Sequence, residues 1–296
     1  MKICMHNWMR PEPLEVTLER LHRLGYDGIE IMGEPRKYDT AEVRRMLDKF
    51  QIECWGSVTI MVAGRDLIHA DPYFREMSQQ YVKECIDLVN ALGGKIITVV
   101  PSEVGKVVAM ADPETEWDWA VEGLKRIADH ANKKNVRIGL EPLNRFETNF
   151  LNRHDQALRL AEDVGEGVGV CLDVFHINIE EADPFQAILN TGDKLVDFHV
   201  ADTDRYPPGH GHWDWQRTIE TLKQAGYNGY ITSEFVVPFD RSPIKAHLTE
   251  AGEAGGTEVS AAELKFIRDH GSDVMSEAQY SKYVKDTIDH LRAAGA

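Results

Sequence analysis

The chain has 296 residues, 33 basic and 49 acidic, giving a formal charge of −16; so large a surplus of acid repels a phosphate backbone and excludes nucleic acid as the expected partner. Hydrophobic residues at 43% and charged residues at 28% exclude a disordered chain, and no apolar run approaches the roughly 18 residues of a membrane span. The opening MKICMHNWMRPEP lacks the apolar stretch of a secretory signal, which predicts a cytoplasmic protein, and the dispersed Cys4, Cys54, Cys85 and Cys171 read as buried reduced thiols.

In chain order, short β-branched runs alternate with longer amphipathic stretches. Strands are predicted at 2–6, 28–32, 52–58, 95–101, 137–143, 168–174, 195–201 and 230–235, and helices at 14–24, 41–50, 72–92, 117–134, 154–163 and 215–225. Asp71-Pro72 supplies an N-cap and a proline at the first helical position, while Gly25, Gly93 and Gly226 follow the last apolar position of their helices. GYDGIEI at 25–31 and GYNGYIT at 226–232 repeat one helix-stop, turn and strand entry. Eight strands so arranged predict an α/β fold, a single (β/α)8 TIM barrel spanning 1–296. Residues 241–275 read as an insertion, a loop at 249–257 with a short helix at 258–269, before a closing helix from Ser276 to Ala294.

Alternation within the strands supports a closed barrel, because successive side chains face opposite sides. Val168, Val170 and Leu172 share the face expected to meet the helices, and Gly169, Cys171 and Asp173 the crowded interior. By the same parity Ile29, Ile31, Ile138, Leu140, Val196 and Phe198 point outward, and Gly28, Glu30, Gly139, Glu141, Asp197 and His199 inward.

The C-terminal mouth of such a barrel gathers whatever polar residues end its strands. Glu141, Asp173, His199 and Glu234 end strands five to eight. Three carboxylates and one imidazole are hard oxygen ligands with one nitrogen, a set suited to a single divalent ion, Mn²⁺ first and Mg²⁺ or Co²⁺ as alternatives. Without a cation, mutual repulsion would raise the pKa of at least one carboxylate. HGH at 210–212 lies in a Pro-Pro-Gly loop that reads as a cover over this mouth.

EPLNRFETNFLN at 141–152, LDVFHINIEE at 172–181, FHVAD at 198–202 and SEF at 233–235 resemble ketose 3-epimerases of the tagatose/psicose type, within the xylose-isomerase-like barrel superfamily. The resemblance is close over 137–237 and general over the first half. It implies that Glu141 and Glu234 are catalytic acid/base residues as well as metal ligands, with Asp173 and His199 completing the metal site. It also implies that Glu147, His176 and Arg205 contact substrate. The implied reaction is removal of a proton next to a carbonyl through a metal-stabilised enediolate, with a proton returned to the opposite face. The expected partners are a small carbohydrate or keto-sugar and further copies of the chain in a homo-oligomer.

Around strands one and four this chain departs from the epimerases, with HNWMRPEP at 6–13 and VVPSEVGKV at 99–107. Those segments, EFVVPFDRSP at 234–243 and the tail insertion leave a second reading open. It is a lyase acting on 3-keto sugars or glycosides by the same enolate chemistry, like the metal-bearing subunit of C-glycoside deglycosidases, with a different subunit as partner. A third is a non-catalytic subunit that binds metal yet exchanges no substrate proton.

Overall fold

The helices begin and end where the sequence puts their caps. Asp39, Asp71, Asp112, Asp183, Asp214 and Ser276 each accept a backbone N–H in the first turn of the helix that follows. Gly25 and Gly93 stop theirs at φ +79° and +80°, a left-handed conformation that costs glycine nothing. The computed structural model describes residues 1–237, Lys265 and 275–296; the expected insertion at 241–275 lies outside the described residues except for Lys265 and Met275.

Eight parallel strands pair in sequence order into a closed barrel: β1 (Lys2–His6), β2 (Gly28–Gly33), β3 (Glu53–Thr59), β4 (Ile96–Val99), β5 (Arg137–Leu140), β6 (Val168–Asp173), β7 (Leu195–Val200) and β8 (Tyr230–Ser233). Lys2 sits opposite Tyr230 and Met5 opposite Ser233, which closes β1 on β8. Around them lie α1 (Leu14–Leu24), α2 (Thr40–Phe50), α3 (Pro72–Leu92), α4 (Pro113–Lys133), α5 (His154–Val164), α6 (Val174–Glu180), α7 (Pro184–Thr191), α8 (Trp215–Gln224) and α9 (Glu277–Ala293). All eight predicted strands and all six predicted helices between them are present, and α9 is the expected closing helix. The short α6 and α7 are additions to the sequence reading. All four cysteines are buried and free. Among the described residues no helix is long and apolar enough to cross a membrane.

The main core lies between barrel and helices, where Ile29, Ile138, Leu140, Val170, Leu172 and Phe198 meet residues such as Leu47, Ile86, Leu124, Leu160 and Leu222. Each such aliphatic side chain contributes about 1.5–3 kcal/mol by leaving water. The inner face differs from the sequence reading at one place. Val196, expected outside, packs inside: a Cβ placed on Gly169 would lie 2.6 Å from its Cγ1, and one on Gly139 would lie 3.1 Å from its Cγ2. The cause is a register shift, since Val170 pairs with Leu195 but Cys171 with Asp197. Two residues of β7 thus oppose one step of β6, and the extra residue breaks the alternation. A second shift, between Ile29 and Glu30 against Cys54 and Gly56, turns Trp55 inward, where its indole N–H reaches Asp197.

This packing fixes a prediction. A methyl group on Gly169 would also lie 2.4 Å from the Lys194 carbonyl oxygen, so Gly169→Ala is expected to destabilise the fold by about 1–3 kcal/mol through overpacking. Chemical denaturation measures it, and an unchanged midpoint would contradict the inward placement of Val196.

Candidate active site

Each strand-end residue is held by its backbone in the register of the barrel. Glu141 follows the last paired residue of β5 and donates its N–H to the Val99 carbonyl oxygen, and Glu234 does the same to Val200 after β8. Asp173 closes β6 and is also the N-cap of α6. Its Oδ1 accepts from Phe175 N at 2.9 Å, which leaves Oδ2 unused. His199 sits in β7 beside Asp173, its register partner in β6.

Glu141, His199 and Glu234 converge, and Asp173 joins them beside Glu141 and His176. His199 Nδ1 is 3.0 Å from Glu234 Oε2 and 3.4 Å from Glu141 Oε1. Oxygens of Glu141 and Asp173 and a ring nitrogen of His176 lie within 4.8 Å of one another. All are at most 5% exposed. Glu141 Oε1 and Asp173 Oδ2 are buried atoms without a hydrogen bond, whereas buried polar atoms are ordinarily paired. Two orphaned carboxylate oxygens, with His199 Nδ1 3.4 Å from one of them, fit a divalent cation, and the donor set of three carboxylates and one imidazole suits a hard ion.

The layer beneath explains why Nδ1 is the nitrogen left over. His199 Nε2 is 3.1 Å from Asp197 Oδ2. Asp197 also accepts from Trp55 Nε1 at 3.0 Å and Thr98 Oγ1 at 2.8 Å, so it is an anchored anion. It fixes the proton on Nε2 and turns Nδ1 to the site, as a carboxylate behind a ligating histidine does. Glu30, hydrogen-bonded by Thr232, is pushed up to about 8 by burial and by the charge of Asp197.

The proton affinities in the site diverge. Burial raises Glu141, and it raises Asp173 to about 6. Burial acts on Glu234 in the same sense, but His6, His199 and Arg205 outweigh it and hold that carboxyl below the usual range. Burial disfavours a charged His199, yet Cys171 and the surrounding carboxylates outweigh it and raise its pKa.

Glu147, His176 and Arg205 form a second group beside the first, around the same pocket. His176 Nδ1 accepts from Asn144 N at 3.1 Å, which places its proton on Nε2, 3.7 Å from Asp173 Oδ2. Burial lowers its pKa, so it serves as a neutral N–H donor. Glu147 accepts from Asn144 Nδ2 at 2.8 Å and from Arg205 Nη1 at 3.1 Å. Arg205 stacks on Phe175 and adopts φ +63°, uncommon for a residue with a side chain. Asp202 holds its loop by accepting from Thr203 N, Gly209 N, Trp213 N and Trp215 Nε1. His210 and His212 of that loop face Asp286 and Thr203.

Two further side chains adjoin the site. Trp8 donates its indole N–H to Glu234 Oε1 at 2.9 Å. His6 stands edge-on to His199 with ring centroids 4.6 Å apart, and both its nitrogens are buried without a hydrogen bond. The signal for His6 was available, because it ends β1 as Glu141 ends β5.

Comparison with known proteins agrees with the fold. A model of the xylose isomerase-like TIM barrel matches residues 18–269. L-ribulose 3-epimerase of Methylomonas sp. (strain DH-1) is 31% identical over 215 residues, 72% of this chain and 74% of that protein. 3-Dehydro-D-guloside 4-epimerase of Escherichia coli (strain K12) is 28% identical over 235 residues, 76% of this chain and 87% of that one. The structure of a D-allulose 3-epimerase from Methylomonas sp. in complex with D-allulose has the same fold, with a TM-score of 0.84 over 99% of this chain and 97% of that chain at 22% identity. From the matched family model and the closed eight-stranded barrel, the chain belongs to the xylose isomerase-like TIM barrel family.

Proposed function

We propose that the protein is a divalent-metal-dependent sugar epimerase that inverts a carbon next to a carbonyl, as a ketose 3-epimerase does. The observation that carries this reading is the meeting of Glu141, His199 and Glu234, with Asp173 beside Glu141, in one buried place where two carboxylate oxygens are left unpaired. The similarity to sugar epimerases supports it and favours it over elimination.

Glu141, Asp173, His199 Nδ1 and Glu234 would hold the ion, with Mn²⁺ the first choice for this ligand set. When bound, the cation supplies charge compensation at the carbonyl and adjacent hydroxyl oxygens as an enediolate develops. The chain's own groups do the rest. Glu234, oriented by Trp8, takes the proton on one face, and Glu141 returns one to the other face. The roles exchange in the reverse direction. His176 Nε2–H and Arg205 donate to substrate oxygens, and Glu147 holds Arg205 in place while balancing its charge.

The direct test is incubation in D₂O with a panel of ketoses and 3-keto glycosides. Deuterium next to the carbonyl in an epimerised product is expected, and release of an aglycone without it would overturn the reading. Glu141→Gln and Glu234→Gln keep the side-chain shape while removing the base, so each is expected to lower proton exchange about 10²–10⁴-fold with the fold intact. Full turnover in either variant would remove the two-carboxylate mechanism. Elemental analysis is expected to find one divalent ion per chain, lost in His199→Ala together with activity and restored to neither by added Mn²⁺. Unchanged metal content in that variant would contradict the ligand assignment.

A further inference from the structure

The space between the proposed catalytic carboxylates is narrow, about 50 Å³. Three of its walls, Trp8, Ile60 and Val62, also wall a chamber of about 670 Å³ on the side of the loops that follow β1, β2 and β3. Glu147, His176 and Arg205 line only the narrow space, so a substrate gripped by them extends towards the chamber. A volume of this size falls within the range of about 300–1,000 Å³ in which whole ligands are enclosed.

The lining of the chamber selects its occupant. Trp8 and Tyr38 offer aromatic surface, and Met46 on α2 an apolar wall. Arg10 is 4% exposed and already engaged by Glu12, the Met275 carbonyl and Glu277. Aromatic rings beside the carboxylates of Glu12, Glu34, Asp39 and Glu42 suit the C–H faces and hydroxyls of a sugar. Charge argues against a phosphate, since Glu12, Glu34, Asp39 and Glu42 outnumber Arg10 and Lys37 around the chamber, and Glu34 and Glu12 already hold Arg65 and Arg20.

We propose that this chamber is a subsite for a second, uncharged sugar ring, so that the substrate is a keto-sugar glycosylated at the end remote from its reacting carbon. The inference rests on the epimerase reading for which end reacts, but binding tests it separately. Calorimetry on the Mn²⁺-loaded protein would compare D-fructose with isomaltulose and leucrose, which carry a hexosyl ring on O6 and O5 of the same ketose. At least one disaccharide is expected to bind about tenfold or more tightly than fructose, roughly one good contact's worth. Met46→Trp, which fills the chamber from α2, is expected to abolish that preference while leaving fructose affinity unchanged. Tyr38→Ala, which removes aromatic surface without filling space, is expected to reduce it. Disaccharides that bind no tighter than fructose, or a preference that survives both variants, would overturn the subsite. Tight binding with no deuterium exchange would leave the subsite standing and remove the epimerase reading instead.

Discussion

Glu30, Glu141, Asp173, Asp197 and Glu234 are buried together in one barrel, and burying like charges is tolerable only if each is neutralised or solvated by dipoles. The barrel meets that constraint in two layers. In the lower layer Asp197 is solvated by Trp55, Thr98 and the Phe198 backbone N–H, and Glu30 is pushed towards its neutral form. In the upper layer the compensation must come from protons or from a cation. Raised proton affinities of Glu141, Asp173 and His199 show the cost of using protons. His199 joins the layers, with Nε2 on Asp197 and Nδ1 in the site, so the lower layer exists to orient the upper one.

The same dependence reaches the far end of the chain. Trp8, which orients Glu234, is carried by the loop between β1 and α1. That loop is fastened to α9 by Glu12, which pairs with Arg10 and Arg20, and by Arg20, which pairs with Glu277 at 2.6 Å. Both guanidinium groups also lie over the ring of Tyr280, at 5.2 and 5.0 Å from its centre. Glu12 and the two arginines are almost wholly buried, where an unpaired member would be far more costly than at the surface. The closing helix therefore serves the site as well as the barrel's outer layer.

Much of this was legible in the residues themselves. Strand positions followed from β-branched runs, and helix ends from aspartate caps and glycines, because those signals act locally. The proposed ligand set followed from the rule that strand ends converge. What escaped was of three kinds. The helices Val174–Glu180 and Pro184–Thr191 are too short to show a period, although Asp183-Pro184 carries the same start signal as Asp71-Pro72. The inward turn of Val196 depends on the register between two strands, which no single strand encodes. The tautomer of His176 is set by Asn144, 32 positions away, and only the fold brings them together. The role of Trp8 likewise depends on a partner 226 positions distant.

The central claim is that these four strand-end residues, and neither of the adjacent imidazoles His6 and His176, hold one cation. Pulsed electron paramagnetic resonance on the Mn²⁺-loaded protein tests it most directly, because it counts the nitrogens bound to the ion. The expected result is a single histidine nitrogen, present in the His6→Asn and His176→Asn variants and absent in His199→Asn. Two coupled nitrogens, or one that survives the loss of His199, would contradict it.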